Sequence, residues 1–289
     1  MGRGSYTASD WNKLKASRGI NETSTATTIF KNTTMKDYCN PRLINMRESC
    51  DSDDSPAATP IIIGFDVTGS MGYLAKELAT NALNKTVTEI YRTKPVTDPH
   101  ILCAAIGDVK CDKYPLQVTQ FEADIRIVEQ LLDLYLEGGG GSNGGESYHL
   151  LWYFAAHHTN TDAYNKRHQK GFLFTIGDDD THTFLSSAEI DRVFGDKVLF
   201  QSNNPLIRAA SEKYELFHIA ITNARQWKNV LPGRVVTIQR NQISYLSDII
   251  IAILEMSAGT KLQDILRRYD RKSAAVLAVA LSDLALAQA

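Results

Sequence analysis

The chain has 289 residues, of which 43% are hydrophobic, so it can bury one sizeable core. Its formal net charge of −2 lacks the basic excess of a general nucleic-acid-binding protein. No apolar run has the roughly 18 residues of a membrane-spanning helix, and the polar N-terminus lacks the apolar segment of a signal peptide. These features predict a cytoplasmic protein that binds neither nucleic acid nor membrane.

Residues 1–57 are rich in Ser, Thr, Asn and Asp and show no sustained periodicity. This composition predicts an N-terminal extension that is partly disordered or lies as an arm across the surface. Phe30, Tyr38 and Leu43 are the candidate anchors of such an arm. The acidic and polar residues 51–56 mark its end.

Residues 58–256 alternate between apolar runs of strand length and helix-like patterns. The first run, 61–65, has no polar alternation, as expected for a central strand covered on both faces. The short connection at 107–115 predicts a hairpin, and therefore one antiparallel edge strand. Together they predict an α/β domain with a doubly wound, mostly parallel six-stranded sheet and helices on both faces. The expected strands are 61–65, 101–106, 116–121, 172–176, 216–221 and 235–238, and the expected helices are about 74–90, 124–136, 146 onward and 245–254.

Residues 257–289 form a C-terminal helical tail with two short helix patterns. The second pattern places Leu277, Leu281 and Leu284 on one stripe. The stripe predicts either packing on the parent domain or a surface for a partner or for self-association into an oligomer.

Three loops place oxygen-bearing side chains after predicted strands. Asp66, Thr68 and Ser70 follow the first strand at alternate positions, a glycine-rich loop spans 138–145, and Asp178 follows the fourth strand. Ligands of an open α/β sheet gather beyond the carboxyl ends of its strands. Oxygen donors suit a hard divalent cation, so the three loops predict a metal site.

Residues 66–72 read D-V-T-G-S-M-G. They resemble the first loop of the metal-ion-dependent adhesion site (MIDAS) of von Willebrand factor A (VWA) domains, whose pattern is D-x-[ST]-x-S. The resemblance, to the intracellular bacterial type, implies Mg²⁺ or Mn²⁺ rather than Ca²⁺ at the top of the sheet. It also implies that an Asp or Glu of a partner protein completes the coordination. Asp178 matches the aspartate that such domains carry in their third loop.

The second loop departs from that pattern, because it offers no threonine. Ser142, Asn143 or Glu146 would take its place, as in bacterial relatives with G-G-x-x-x-P-E loops. Asp108, which ends a strand at the same edge, is a further candidate for contacts around the site.

The resemblance implies a protein-binding module rather than an enzyme, working beside a MoxR-type AAA+ ATPase or in a bacterial defence or stress system. One alternative is a haloacid dehalogenase-like, Mg²⁺-dependent phosphohydrolase, which also places a nucleophilic Asp after the first strand. That family needs a second Asp two residues later, where this chain has Thr68. Another alternative is a structural subunit whose tail drives assembly.

Overall fold

The computed structural model describes residues 6–21, 23–138, 145–224 and 226–286. The helices are α1 (Ala8–Arg18), α2 (Ala26–Ile29), α3 (Gly72–Glu77), α4 (Leu83–Thr93), α5 (Arg126–Leu131), α6 (Tyr148–His157), α7 (Asp162–Arg167), α8 (Ser187–Phe194), α9 (Asn203–Lys213), α10 (Trp227–Val230), α11 (Leu246–Ser257), α12 (Leu262–Leu266) and α13 (Arg271–Leu281). The strands are β1 (Arg47–Ser49), β2 (Thr59–Asp66), β3 (Pro99–Ile106), β4 (Leu116–Val118), β5 (Thr159–Thr161), β6 (Gly171–Gly177), β7 (Phe184–Leu185), β8 (Gln201–Ser202), β9 (Tyr214–Ile221) and β10 (Val235–Ile238).

The central sheet has six strands in the order β4-β3-β2-β6-β9-β10. All neighbours pair in parallel except β3 and β4, so the one antiparallel strand lies at an edge. This confirms the predicted doubly wound α/β architecture. After β2 the chain adds β3 and β4 on one side of that strand, and it then crosses to the other side of β2 to form β6. The crevice beyond the carboxyl ends of β2 and β6 is therefore the topological switch point, where such folds bind ligands.

Alternate side chains of β2 enter two separate core layers. Ile61, Ile63 and Phe65 pack with residues of α3, α4 and α11, whereas Ile62 packs with residues of α6 and α9. A strand buried on both faces has no polar side, which explains why its sequence shows no alternation.

Gly64 lets α6 approach the sheet closely. A Cβ atom at this position would lie 2.2 Å from Leu151 Cδ2 and 2.9 Å from Ile106 Cδ1. Any larger residue would therefore displace side chains in a close-packed layer.

The helix expected over 124–136 is shorter than predicted, because α5 ends at Leu131. The fully buried side chain of Gln117 bonds to residues after Leu131 and holds them in a non-helical conformation. Its Nε2 donates to the Tyr135 carbonyl at 2.6 Å, and its Oε1 accepts from the Tyr135 N–H at 3.0 Å. One amide side chain thus satisfies a backbone donor and acceptor beside β4, a contact that hydrophobic periodicity does not report.

The N-terminal residues contact the domain at several points. Trp11 of α1 and Phe30 are buried in the same core cluster as β2, and β1 pairs in parallel with β5. Of the other two candidate anchors, Tyr38 donates through its hydroxyl to Asp133 Oδ2 at 2.8 Å, and Leu43 is 62% exposed. The division of the chain at residues 57 and 256 stays a prediction.

The leucine stripe of the tail faces the domain. Leu277 and Leu281 are buried in the core cluster that contains α11, and Leu284 packs against it half-buried. The structure therefore favours the packing interpretation of the stripe. Within the described ranges, no helix is both long enough and apolar enough to cross a membrane.

We expect Gly64→Ala to lower the free energy of unfolding by about 1–3 kcal/mol, because it overpacks the layer between β2 and α6. In a Leu151→Ala background the same substitution should cost clearly less. Urea unfolding of the four proteins measures both effects. Gly72→Ala is the matched control, since its Cβ would meet only Ala26 Cβ at 3.7 Å. Equal costs of Gly64→Ala in both backgrounds would contradict the steric explanation.

Candidate metal centre

The first loop turns sharply on the side chain of Asp66. Asp66 Oδ1 accepts two hydrogen bonds, from the N–H and from the Oγ1 of Thr68, each at 2.7 Å. Such bonds from an Asp to the residue two positions on stabilise a tight turn, and here they hold the Thr68 hydroxyl against the carboxyl group. Ser70 lies in the single 3₁₀ turn Gly69–Met71 that leads into α3, and its side chain is outside the described part of the chain.

The third loop begins where β6 runs beside β2. A Cβ atom on Gly177 would lie 1.7 Å from Tyr148 Oη and 3.1 Å from Asp66 Cβ, so only glycine fits at this point. Tyr148 is fully buried, and its hydroxyl donates to Asp66 Oδ2 at 3.4 Å. Half-buried Asp178 follows directly and is close enough to raise the pKa of Asp66.

Glu146 joins the second loop to the third. Its N–H donates to the Asp180 carbonyl at 2.8 Å, and its own carbonyl accepts from the His182 N–H at 3.2 Å. The side chain is only 4% exposed, and Oε2 has no hydrogen-bond partner among the described residues. The other two candidates for this loop, Ser142 and Asn143, lie outside the described residues.

Burial and mutual repulsion disfavour the ionised forms of Asp66 and Glu146. Burial raises the pKa of Asp66 to about 7, with further repulsion from Asp178 and Asp179 and an opposing effect of the Thr68 hydrogen bonds. Burial also raises the pKa of Glu146 to about 9, and Asp66 and other carboxylates add to the rise. The side chains that raise the pKa of Glu146 most, Asp66 and Asp108, are both acidic. A bound cation would favour both ionised forms.

Glu146 Oε2 is buried without a hydrogen-bond partner among the described residues, and the buried carboxyl group of Asp66 acts on it. This set of oxygen donors fits a hard divalent cation. Within the described ranges, no three His, Cys, Asp or Glu side chains form a group that could hold an ion. A metal site here would therefore depend on the hydroxyl groups of Thr68 and Ser70 as well. An ion with so few protein ligands keeps exchangeable waters, as Mg²⁺ does.

Two aromatic residues around the site were not predicted from the sequence. One is Tyr148, which begins α6 two residues after Glu146. The other is Trp227 of α10, whose Nε1 donates to the Asp179 carbonyl at 2.9 Å while its ring stacks on His218 at 3.4 Å. No local pattern connects Trp227 with the third loop, because 48 residues separate it from Asp179.

Asp108 lies beside the second and third loops, as expected from its place after β3. It has no solvent exposure, and its Oδ1 contacts His182 Nε2 at 2.7 Å and accepts from Ser147 Oγ at 3.2 Å. His182 was not predicted as its partner. These contacts connect the loop after β3 to both Glu146 and the third loop.

No protein-family model and no curated protein matches the sequence. Among solved structures, the chain is similar to proximal thread matrix protein 1 from the mussel byssus, with a zinc occupied MIDAS motif, at 12% identity and a TM-score of 0.46. It is also similar to the pilus adhesin SpaC from Lactobacillus rhamnosus GG, at 12% identity and a TM-score of 0.45. The matches cover 72% and 76% of this chain, but only 49% and 31% of those chains. Identities and scores this low carry no weight for function.

The chain therefore spans about half the length of the first of these proteins and less than a third of the second. The order of the central sheet and its single antiparallel edge strand agree with the arrangement that the resemblance to VWA domains implies.

We expect Asp66→Asn to stabilise the metal-free protein at neutral and alkaline pH. Because folding raises the pKa of Asp66 from 3.8 to about 7, the unfolded chain ionises first as the pH rises. Stability is then lost between these two values, by up to about 4 kcal/mol, and stays low above them. In EDTA, the midpoint of thermal unfolding at about pH 8 should therefore be higher for the variant. A lower midpoint than that of the wild type would contradict this account of the buried carboxyl group.

Proposed function

We propose that this chain is a metal-dependent protein-binding module. A divalent cation, Mg²⁺ or Mn²⁺, would bind at the switch point through Asp66, Thr68, Ser70 and Asp178, with Glu146 replacing the usual threonine of the second loop. The observation that carries the proposal is the pair of buried, mutually repelling carboxyl groups, Asp66 and Glu146, beside the Thr68 hydroxyl.

The described side chains have distinct parts in such a site. Thr68 Oγ1 uses its proton in the bond to Asp66, so its lone pairs are left for the cation. Asp66 and Asp178 would balance the ionic charge. Since Asp66 is fully buried and Asp178 is half-buried, the open side of the site lies near Asp178. An Asp or Glu of a partner protein would replace a water of the ion there.

This arrangement supports binding better than phosphohydrolysis. A phosphohydrolase of the considered type needs an acid at position 68, and Thr68 donates its proton to Asp66 instead. His182, whose N–H donates to the Glu146 carbonyl, is paired through its ring with Asp108. No contact among the described residues favours the phosphohydrolase, and we propose that the chain is not an enzyme.

The alternative of an assembly subunit loses its main support, because Leu277 and Leu281 of the tail are buried against the domain. The MoxR-type AAA+ ATPase as partner, the bacterial defence or stress system and the cytoplasmic location stay predictions from the resemblance and the sequence. No contact among the described residues bears on them.

We expect the wild-type protein to bind Mg²⁺ or Mn²⁺ in a calorimetric titration, and Asp66→Ala and Asp178→Ala to weaken that binding at least about tenfold. The reason is that each substitution removes a carboxylate that balances the ionic charge. Asp264→Asn is the control for the loss of one carboxylate, since its exposed side chain pairs with Arg267 and is not a proposed ligand. Equal metal affinity of the wild type and both alanine variants would rule out the proposed site.

We further expect no phosphatase activity. With Mg²⁺ and an aryl phosphate, the wild-type protein should release no more phosphate than a protein-free blank, because position 68 holds no acid. Turnover above the blank that Asp66→Asn abolishes would favour the phosphohydrolase instead.

A further inference from the structure

Four large apolar side chains are exposed on the chain segments that follow the third loop. Phe184 is 46% exposed, Val198 39%, Leu199 82% and Phe200 63%; we call these four residues the apolar rim. They are half of the eight large hydrophobic side chains that are exposed among the described residues. Single exposed apolar residues are ordinary, but a concentrated set marks a binding surface.

The apolar rim is built on an excursion of the chain between β6 and α9. Phe184 in β7 pairs in antiparallel register with Ser202 in β8, which brings the segment containing Leu199 and Phe200 back to the end of the third loop. The rings of Phe184 and Phe200 meet edge to face at 6.5 Å. Directly after β8, Asn203 donates through Nδ2 to the His182 carbonyl at 2.7 Å and through its N–H to the Thr183 carbonyl at 3.1 Å.

The same loops carry the candidate metal centre. His182 contacts Asp108 Oδ1 through its ring and the Glu146 carbonyl through its N–H. The Nζ atom of Lys110, in the loop after β3, lies 5.4 Å from the centroid of the Phe184 ring. Phe184 of the apolar rim therefore lies two residues from His182, which contacts both Glu146 and Asp108.

The charges around the apolar rim are already paired. Lys110 forms an ion pair with Glu189, and Lys197 forms one with Asp191. With these pairs balanced, the rim itself offers apolar contact and no excess of positive charge. That composition suits an apolar protein segment better than an anionic membrane surface, which attracts clusters of unpaired Lys and Arg.

We propose that the apolar rim is the second half of the partner-binding surface. One segment of a partner protein would place its Asp or Glu on the cation and a nearby large aliphatic or aromatic side chain against Leu199 and Phe200. This inference rests on the proposed function, because it takes the metal site as the first half of the surface.

The test is a selection of short random peptides on the wild-type protein in the presence of Mg²⁺. The selected peptides should carry an acidic residue and a large apolar residue at a preferred spacing. The double variant Leu199→Ser/Phe200→Ser should bind them at least about tenfold more weakly, while its metal affinity stays unchanged. Val279→Ser is the matched control, because Val279 is 76% exposed on α13 and should not affect peptide binding.

The outcomes separate this inference from the proposed function. If the selected peptides share an acidic residue alone and bind the double variant equally well, the inference falls and the metal-dependent module stands. If peptide binding needs the apolar rim but survives EDTA and Asp66→Ala, both fall. Failure to select any peptide counts against the inference as well.

Two further measurements distinguish other occupants of the apolar rim. A wild-type dimer that the double variant converts to a monomer, seen by light scattering, would assign the rim to a second copy of the chain. Binding to anionic phospholipid vesicles that the double variant loses would assign it to a membrane. Either result overturns the inference, and a monomer that ignores vesicles supports it.

Discussion

Asp66 ends the central strand with no solvent exposure, in a place where its charge is opposed by burial and by neighbouring carboxylates. A polar group in such surroundings needs fixed partners, and the adjacent residues supply them. Thr68 saturates one carboxyl oxygen, and the Tyr148 hydroxyl approaches the other. Gly177 is required because Tyr148 and Asp66 leave no room for a side chain at the end of β6. The geometry of the first and third loops thus follows from how one carboxyl group is buried.

The burial of these carboxyl groups lowers the stability of the metal-free protein, so it is not explained by folding. A site arranged for folding alone would replace Asp66 or Glu146 by a neutral residue, since the ionised forms destabilise the metal-free protein. Both carboxyl groups instead lie at the switch point, where the fold brings parallel strand ends together. Strongly perturbed carboxyl groups in that position are more typical of a binding site than of a structural network.

The sheet was predictable because its physical cause acts locally. Strands covered on both faces become continuous apolar runs, and β10 coincides with its expected range of 235–238. The meeting of Asp66 with Asp178 also follows from sequence, because adjacent parallel strands end at the same edge. By contrast, the bonds from Gln117 to Tyr135 and from Trp227 to Asp179 join residues that only the tertiary fold brings together. Hydrophobic periodicity does not reveal such contacts. It therefore predicted neither the early end of α5 nor the bond from Trp227 to the third loop.

In the proposed site, specificity would also depend on what surrounds the cation. A single carboxylate on a metal ion is a contact that any exposed Asp or Glu can make, so it discriminates poorly between partners. To discriminate between partners, a site needs a second contact at a fixed distance from the first. The excursion between β6 and α9 places large apolar side chains after Asp178, where they could make that contact. Asn203 joins the end of this excursion to the His182 carbonyl, which would hold the two proposed contacts close to each other. The cation would then determine whether a partner binds, and the apolar rim would determine which partner it is.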